Sequence, residues 1–229
     1  MRQLFLGFIL LALSISSSAI NRSSLWIGGG VSLYLPSNTL NSNNYIGFND
    51  VANGGFGLKA NLDWQFQPTL ILGGEIGFLR SSIDQNYWNM DKYGSIDGSF
   101  LTVPFLLNAK ILLDRGDIRP YVAMLFGGNI IHNTLDFVTS HPDNVEYPSY
   151  SYSTTNFKPS VAPEIGVDIM LSKKALITIS GRYTYIANLE STVIPVLDQN
   201  GYAISSNVAN AHGHQNYFEI TVGLRFATK

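Results

Sequence analysis

The chain has 229 residues and a formal charge of −2, which is one domain's worth of material with no basic half to hold nucleic acid. Only 13% of its residues are charged, while Gly, Tyr and Phe number 21, 12 and 13, a mixture that favours strands and turns over amphipathic helices. Cysteine is absent, which excludes disulfides, thiolate catalysis, Cys-ligated zinc and the lipid-modified cysteine of a lipoprotein.

The first element is not part of a fold. Met1-Arg2-Gln3 gives a short positive start, residues 4–15 are almost wholly apolar, and Ser16-Ser17-Ser18-Ala19 supplies small residues at a cleavage position. Residues 1–19 are predicted to be a signal peptide cut after Ala19, because the apolar run falls short of the ~20 residues of a spanning helix. Residues 20–229 are predicted to form one domain. Every later apolar stretch is broken within about ten residues by Gly, Pro, charge or an Asn/Ser cluster, so any crossing of a membrane requires a closed barrel.

Period-two alternation then marks eight strands, at 24–35, 56–66, 69–80, 99–113, 118–132, 157–171, 175–189 and 218–226. In the second, Phe56, Leu58, Ala60, Leu62, Trp64 and Phe66 alternate with Gly57, Lys59, Asn61, Asp63 and Gln65. In the last, Phe218, Ile220, Val222, Leu224 and Phe226 alternate with Glu219, Thr221, Gly223 and Arg225. The connections 65–68, 114–117 and 172–174 are tight, whereas 36–53, 81–98, 133–156 and 190–212 are long and polar. Within the last of these, 193–197 and 202–205 flank Asp198-Gln199-Asn200-Gly201, a hairpin signal that has strands seven and eight projecting beyond the membrane. Short and long connections in alternation predict an all-β fold, an eight-stranded antiparallel transmembrane β-barrel in meander order. The short turns then face the periplasm and the long loops face outward.

Charge decides which face meets lipid. Lys59, Asp63, Glu75, Lys110, Arg119, Glu164, Asp168, Arg182, Glu219 and Arg225 share one face, five carboxylates against five cations. The other face carries residues such as Leu72, Ile76, Phe105, Leu107, Met124, Ile165 and Ile179, and its strand charge is Arg80 at an outer end. An eight-stranded lumen is filled by side chains or holds one small ligand, and ten charges there must be paired. The charged face is therefore predicted to line the lumen and the apolar face to meet lipid; a soluble lipocalin-type barrel would invert this. Trp26, Trp64 and Phe66 at the tight-turn end, with Phe78, Tyr183, Tyr185, Tyr217 and Phe218 at the long-loop end, are expected to form two interfacial girdles.

The segment Tyr217-Phe218-Glu219-Ile220-Thr221-Val222-Gly223-Leu224-Arg225-Phe226 resembles the C-terminal strand signal read by the barrel assembly machinery, with Tyr217, Phe218, Gly223, Leu224 and Phe226 as its marks. Together with Val103-Pro104-Phe105-Leu106-Leu107 and Arg119-Pro120-Tyr121-Val122, it makes the mature chain similar to small outer-membrane barrels of the OmpA and OmpX kind, including porin-like outer-membrane β-barrel domains. Ala227-Thr228-Lys229 beyond Phe226 depart from the usual aromatic ending, and the wall-anchoring role of larger OmpA-type proteins is not implied. The resemblance implies a bacterial outer-membrane location, contact with membrane lipids and lipopolysaccharide, and handling by the assembly machinery.

Chemistry-bearing residues are few. His132, His141, His212 and His214 fall in or beside the outer loops without a His-x-Ser pairing of the lipid A deacylase type, and His212 with His214 makes two ligands of an incomplete metal site. No catalytic residue, metal or cofactor is expected. Tyr87, Trp88, Tyr93, Tyr147, Tyr150 and Tyr152 give the outer loops aromatic surface for a sugar or a partner protein. The expected role is structural or surface-interacting, with a side-chain-filled polar lumen; the alternatives are a narrow channel for ions or small solutes, and a rim enzyme modifying lipid A.

Overall fold

The computed structural model describes residues 24–37, 52–83, 94–139, 150–187, 189–194, 209–213 and 216–228. Ten strands follow in chain order: β1 (Ser24–Pro36), β2 (Ala52–Gln65), β3 (Leu70–Ile83), β4 (Gly94–Leu112), β5 (Ile118–Thr139), β6 (Tyr150–Ser172), β7 (Ala175–Ile186), β8 (Leu189–Ile194), β9 (Ala209–Gly213) and β10 (Tyr217–Ala227). Eight of them close a barrel in the order β1-β10-β7-β6-β5-β4-β3-β2, and every pairing is antiparallel. Closure matters because it leaves no barrel strand with an unpaired edge inside an apolar medium. Residues 1–19 and the Asn200-Gly201 turn signal lie outside the described residues.

Two expectations about the outer end need correction. The segments 81–98 and 133–156 are not loops throughout, since β4 starts at Gly94, β5 runs to Thr139 and β6 starts at Tyr150, held by pairs such as Gly94↔Thr139 and Phe137↔Tyr150. The outward face of these extensions is polar (Asp97, Thr134, Asp136, Ser153, Thr155), so the inside–outside contrast that marks a half-buried strand fades there. At 19, 22 and 23 residues, β4, β5 and β6 exceed the ~9–11 residues a transmembrane strand needs. These three strands are prolonged, and the chain between the seventh and eighth barrel strands is also paired. β7 ends at Ile186, and β8 and β9 form a separate two-stranded ladder, pairing Leu189 with Gly213 and Ile194 with Ala209.

Sidedness is uniform around the ring. Leu33, Leu58, Leu107 and Ile165 on the outer face are 57–71% exposed, whereas Asp63, Lys110 and Glu219 on the inner face are 1% exposed. Along β5 the outward residues run Val122, Met124, Phe126 and Ile130 and then turn polar at His132, Thr134 and Asp136. Along β6 the same change falls between Phe157 and Thr155. Ile130 and Phe157 are cross-strand partners, and so are His132 and Thr155, so the apolar belt ends at the same register on both strands.

The interior is layered. Trp26, Ile71, Leu112 and Leu176 are buried towards the short turns, and Tyr34, Leu79, Phe100, Ile131 and Tyr217 are buried towards the long loops beside polar Ser81, Thr102, Asn129, Asn133 and Thr184. The charges lie between. Room for the bulky inner side chains comes from small inner neighbours: a Cβ on Gly166 would stand 2.6 Å from the Tyr121 ring, and one on Gly73 would stand 2.2 Å from the Asp63 carboxylate.

Candidate functional site: the charged layer of the lumen

Arg182 is the hub. Its Nη1 and Nη2 donate to the two Glu75 oxygens at 2.6 and 2.8 Å, and its Nε and Nη2 donate to Glu164 Oε2 at 2.8 and 2.6 Å. The neighbouring β10 places Glu219 opposite Arg182, with Nη1 and Oε2 3.7 Å apart. Lys59 closes the circle at 2.7 Å from Glu219 and 3.4 Å from Glu75. The Tyr121 hydroxyl donates to the free Glu164 oxygen at 2.8 Å. The Glu75, Glu164 and Glu219 carboxylates thus share the Lys59 and Arg182 cations, each group with a charged partner.

A second set lies nearer the short turns. Asp63 pairs with Arg225 and accepts hydrogen bonds from Asn61 at 3.1 Å and Asn108 at 3.0 Å. Asp168 accepts from Thr178 at 2.7 Å and pairs with Lys110 at 3.3 Å, and the Lys110 ammonium also sits 3.9 Å from the Tyr121 ring centroid. Tyr121 therefore joins the two sets, its ring under Lys110 and its hydroxyl on Glu164. Two small cavities adjoin this layer, of about 10 and 20 Å³, each about the volume one water occupies.

The structure brings nine of the ten candidate lumen residues into these ion pairs. Arg119 stands apart: its Nε donates to the Gly116 carbonyl at 2.7 Å, and it lines the smaller cavity at the short-turn end. Sequence reasoning missed Lys158. Its register partner Asn129 is fully buried, and Lys158 alternates in phase with Ala162 and Glu164, which places it on the inner face near the outer mouth. That phase was readable, since Lys158 lies six residues from Glu164 in one strand.

The girdle expectation is corrected at two positions. Trp26 and Tyr217 point inward: the Trp26 indole N–H donates to Ser24 at 3.0 Å, and Tyr217 packs edge-on against Tyr34 at 5.1 Å. Tyr217 shares the phase of Glu219, so alternation itself puts it inside. Trp64, Phe66, Phe78, Tyr185 and Phe218 are outward and exposed, and Tyr183 is outward and half-buried. Within the C-terminal segment, Phe218, Leu224 and Phe226 face outward and Gly223 lies on the inner face.

His132 is hydrogen-bonded through Nδ1 to Thr155 Oγ1 at 2.7 Å on the outer face. His141, His214, Tyr87, Trp88, Tyr93 and Tyr147 lie outside the described residues. Tyr150 and Tyr152 occupy β6 at register positions opposite Phe137 and Leu135, and His212 occupies β9.

No family model matches the chain, and no curated protein matches it. Among solved structures, it is similar to Ail, the attachment invasion locus protein of Yersinia pestis, at 12% identity over 91% of this chain and 100% of that one, with a TM-score of 0.49. It is similar to the outer membrane protein OprG from Pseudomonas aeruginosa at 12% identity over 91% and 97%, with a TM-score of 0.48. The figures for Neisserial surface protein A are 11%, 90%, 99% and 0.46. Ail has also been crystallised with the heparin analogue sucrose octasulfate. The likeness is one of architecture alone.

Proposed function

We propose that this chain is a bacterial outer-membrane protein whose barrel is sealed and whose work is done at the outer end. The observation that carries the reading is sidedness. A belt of Leu, Ile, Val and Phe faces outward on every barrel strand while ionised side chains are buried within, an arrangement that is stable only when the medium outside is lipid. Export by residues 1–19, assembly through residues 217–226 and contact with lipopolysaccharide belong to the same reading.

Surface interaction is favoured over conduction because the charged layer is cross-linked and buried side chains fill the lumen on both sides of it, Leu79, Phe100 and Ile131 on one and Trp26, Ile71 and Leu112 on the other. The long strands β4, β5 and β6 support it too, since they carry the chain beyond the belt and set Tyr150 and Tyr152 on a regular frame. A partner through these outer segments is part of the proposal; catalysis is not. The test is whole-cell labelling of an epitope inserted within residues 140–149, combined with heat-modifiable gel migration of the extracted protein. Surface labelling and a heat-dependent shift are expected, and a soluble periplasmic protein with no shift contradicts the reading.

A further inference from the structure

Among the described residues, three exposed cations gather at one corner of the short-turn end. Residues 113–117, joining β4 to β5, and residues 173–174, joining β6 to β7, lie side by side because β5 and β6 are ring neighbours and the Met170 N–H donates to the Asp117 carbonyl at 2.8 Å. Arg115, Lys173 and Lys174 there are exposed, with Arg119 half-buried beside them. Of the two nearby carboxylates, Asp114 is turned onto its own loop, accepting the N–H groups of Arg115 at 2.6 Å and Gly116 at 3.2 Å. The remaining short turn, residues 66–69, has no charged residue, and beside it Trp64 and Phe66 pack edge to face at 5.2 Å. Neighbouring stretches of the short-turn rim are thus built for different company.

Next to the cations the apolar belt ends. Leu113, Ile118 and Leu171 on the outer face are 57–65% exposed, so greasy surface and positive charge adjoin at this corner and not at the neighbouring 66–69 turn. We propose that this corner binds the headgroups of anionic phospholipids in the leaflet facing the short turns. The proposal rests on the membrane reading above. Lysine and arginine stems lie along apolar surface while their charged ends reach the headgroup level, and the Arg115 fork matches two phosphate oxygens. Each cation near an anionic lipid surface strengthens binding about fivefold. A soluble polyanion or a cell-wall carboxylate would use the charges and leave Leu113, Ile118 and Leu171 uncovered, whereas a phospholipid meets both.

The full chain is reconstituted into vesicles of phosphatidylcholine alone and of phosphatidylcholine with phosphatidylglycerol, folding is read by heat-modifiable migration, and retained lipid is counted by native mass spectrometry. Wild type is expected to fold in both and to retain phosphatidylglycerol over phosphatidylcholine. The variant combining R115Q, K173Q and K174Q is expected to fold equally and lose most of that preference. Equal retention of the two lipids by folded wild type, or an undiminished preference in the triple variant, overturns the proposal while leaving the membrane reading standing. Failure to insert into either vesicle overturns both. Because the three positions are exposed turn residues, R80Q serves as the control that removes one cation from the other end without changing the preference.

Discussion

Arg182 and Glu75 meet as a two-pronged pair across the whole width of the barrel, at 2.6 and 2.8 Å, although β7 and β3 stand four strands apart in either direction round the ring. A bond of this span fixes the lumen's cross-section as well as its charge. Removing the guanidinium leaves Glu75, Glu164 and Glu219 facing Lys59 alone. Arg182→Met is therefore expected to cost about 3–5 kcal/mol, the range for one member lost from a buried pair. Urea unfolding in detergent checks this, and Arg182→Lys should recover only part, since one ammonium cannot reproduce the fork.

The lumen is expected to stay closed even in that variant. Tyr34, Leu79, Phe100 and Tyr217 on one side and Trp26, Ile71 and Leu112 on the other are buried independently of the ion pairs. Planar-bilayer recordings of wild type and Arg182→Ala should both lack steady openings; steady wild-type conductance would show that the layers part in the membrane.

Gly166 and Tyr121 are cross-strand partners, and the ring occupies the place of the missing side chain. Gly166→Ala is expected to destabilise by about 1–3 kcal/mol through overpacking. Combined with Tyr121→Ala, the same change should cost clearly less than the sum of the single effects, a non-additivity that a double-mutant cycle reads directly.

The end of the apolar belt should be measurable by depth. Leu107→Arg, on the outer face at mid-strand, is expected to cost about 2–4 kcal/mol, and Thr134→Arg, beyond the His132–Thr155 pair, about 0–1 kcal/mol. Equal costs at both positions would place the boundary elsewhere.

What could be read from the chain itself follows from how strongly each face is contrasted. Where one face meets lipid and the other carries charge, as in β2 and β10, alternation revealed strand, phase and lumen residues together. Where the contrast fails, so did the reading. The extensions of β4, β5 and β6 are polar outside, and Tyr34, Leu79 and Phe100 are apolar inner residues on strands that are apolar outside too, so the lumen expected to be polar also holds buried apolar side chains, beside polar Ser81, Thr102 and Asn129. Trp26 and Tyr217 are girdle residues by type, yet their phase places them inside. The reach of Arg182 to Glu75 depends on ring closure, which no local pattern contains.

The absence of cysteine makes one experiment direct: single cysteines introduced along β10 and spin-labelled in lipid vesicles. Labels at positions 220, 222 and 224 should collide with oxygen dissolved in the acyl chains, and labels at 219, 221 and 223 should be shielded from it. The reverse pattern, with 220, 222 and 224 enclosed and the odd positions open to a water-soluble relaxant around the perimeter, would contradict the account.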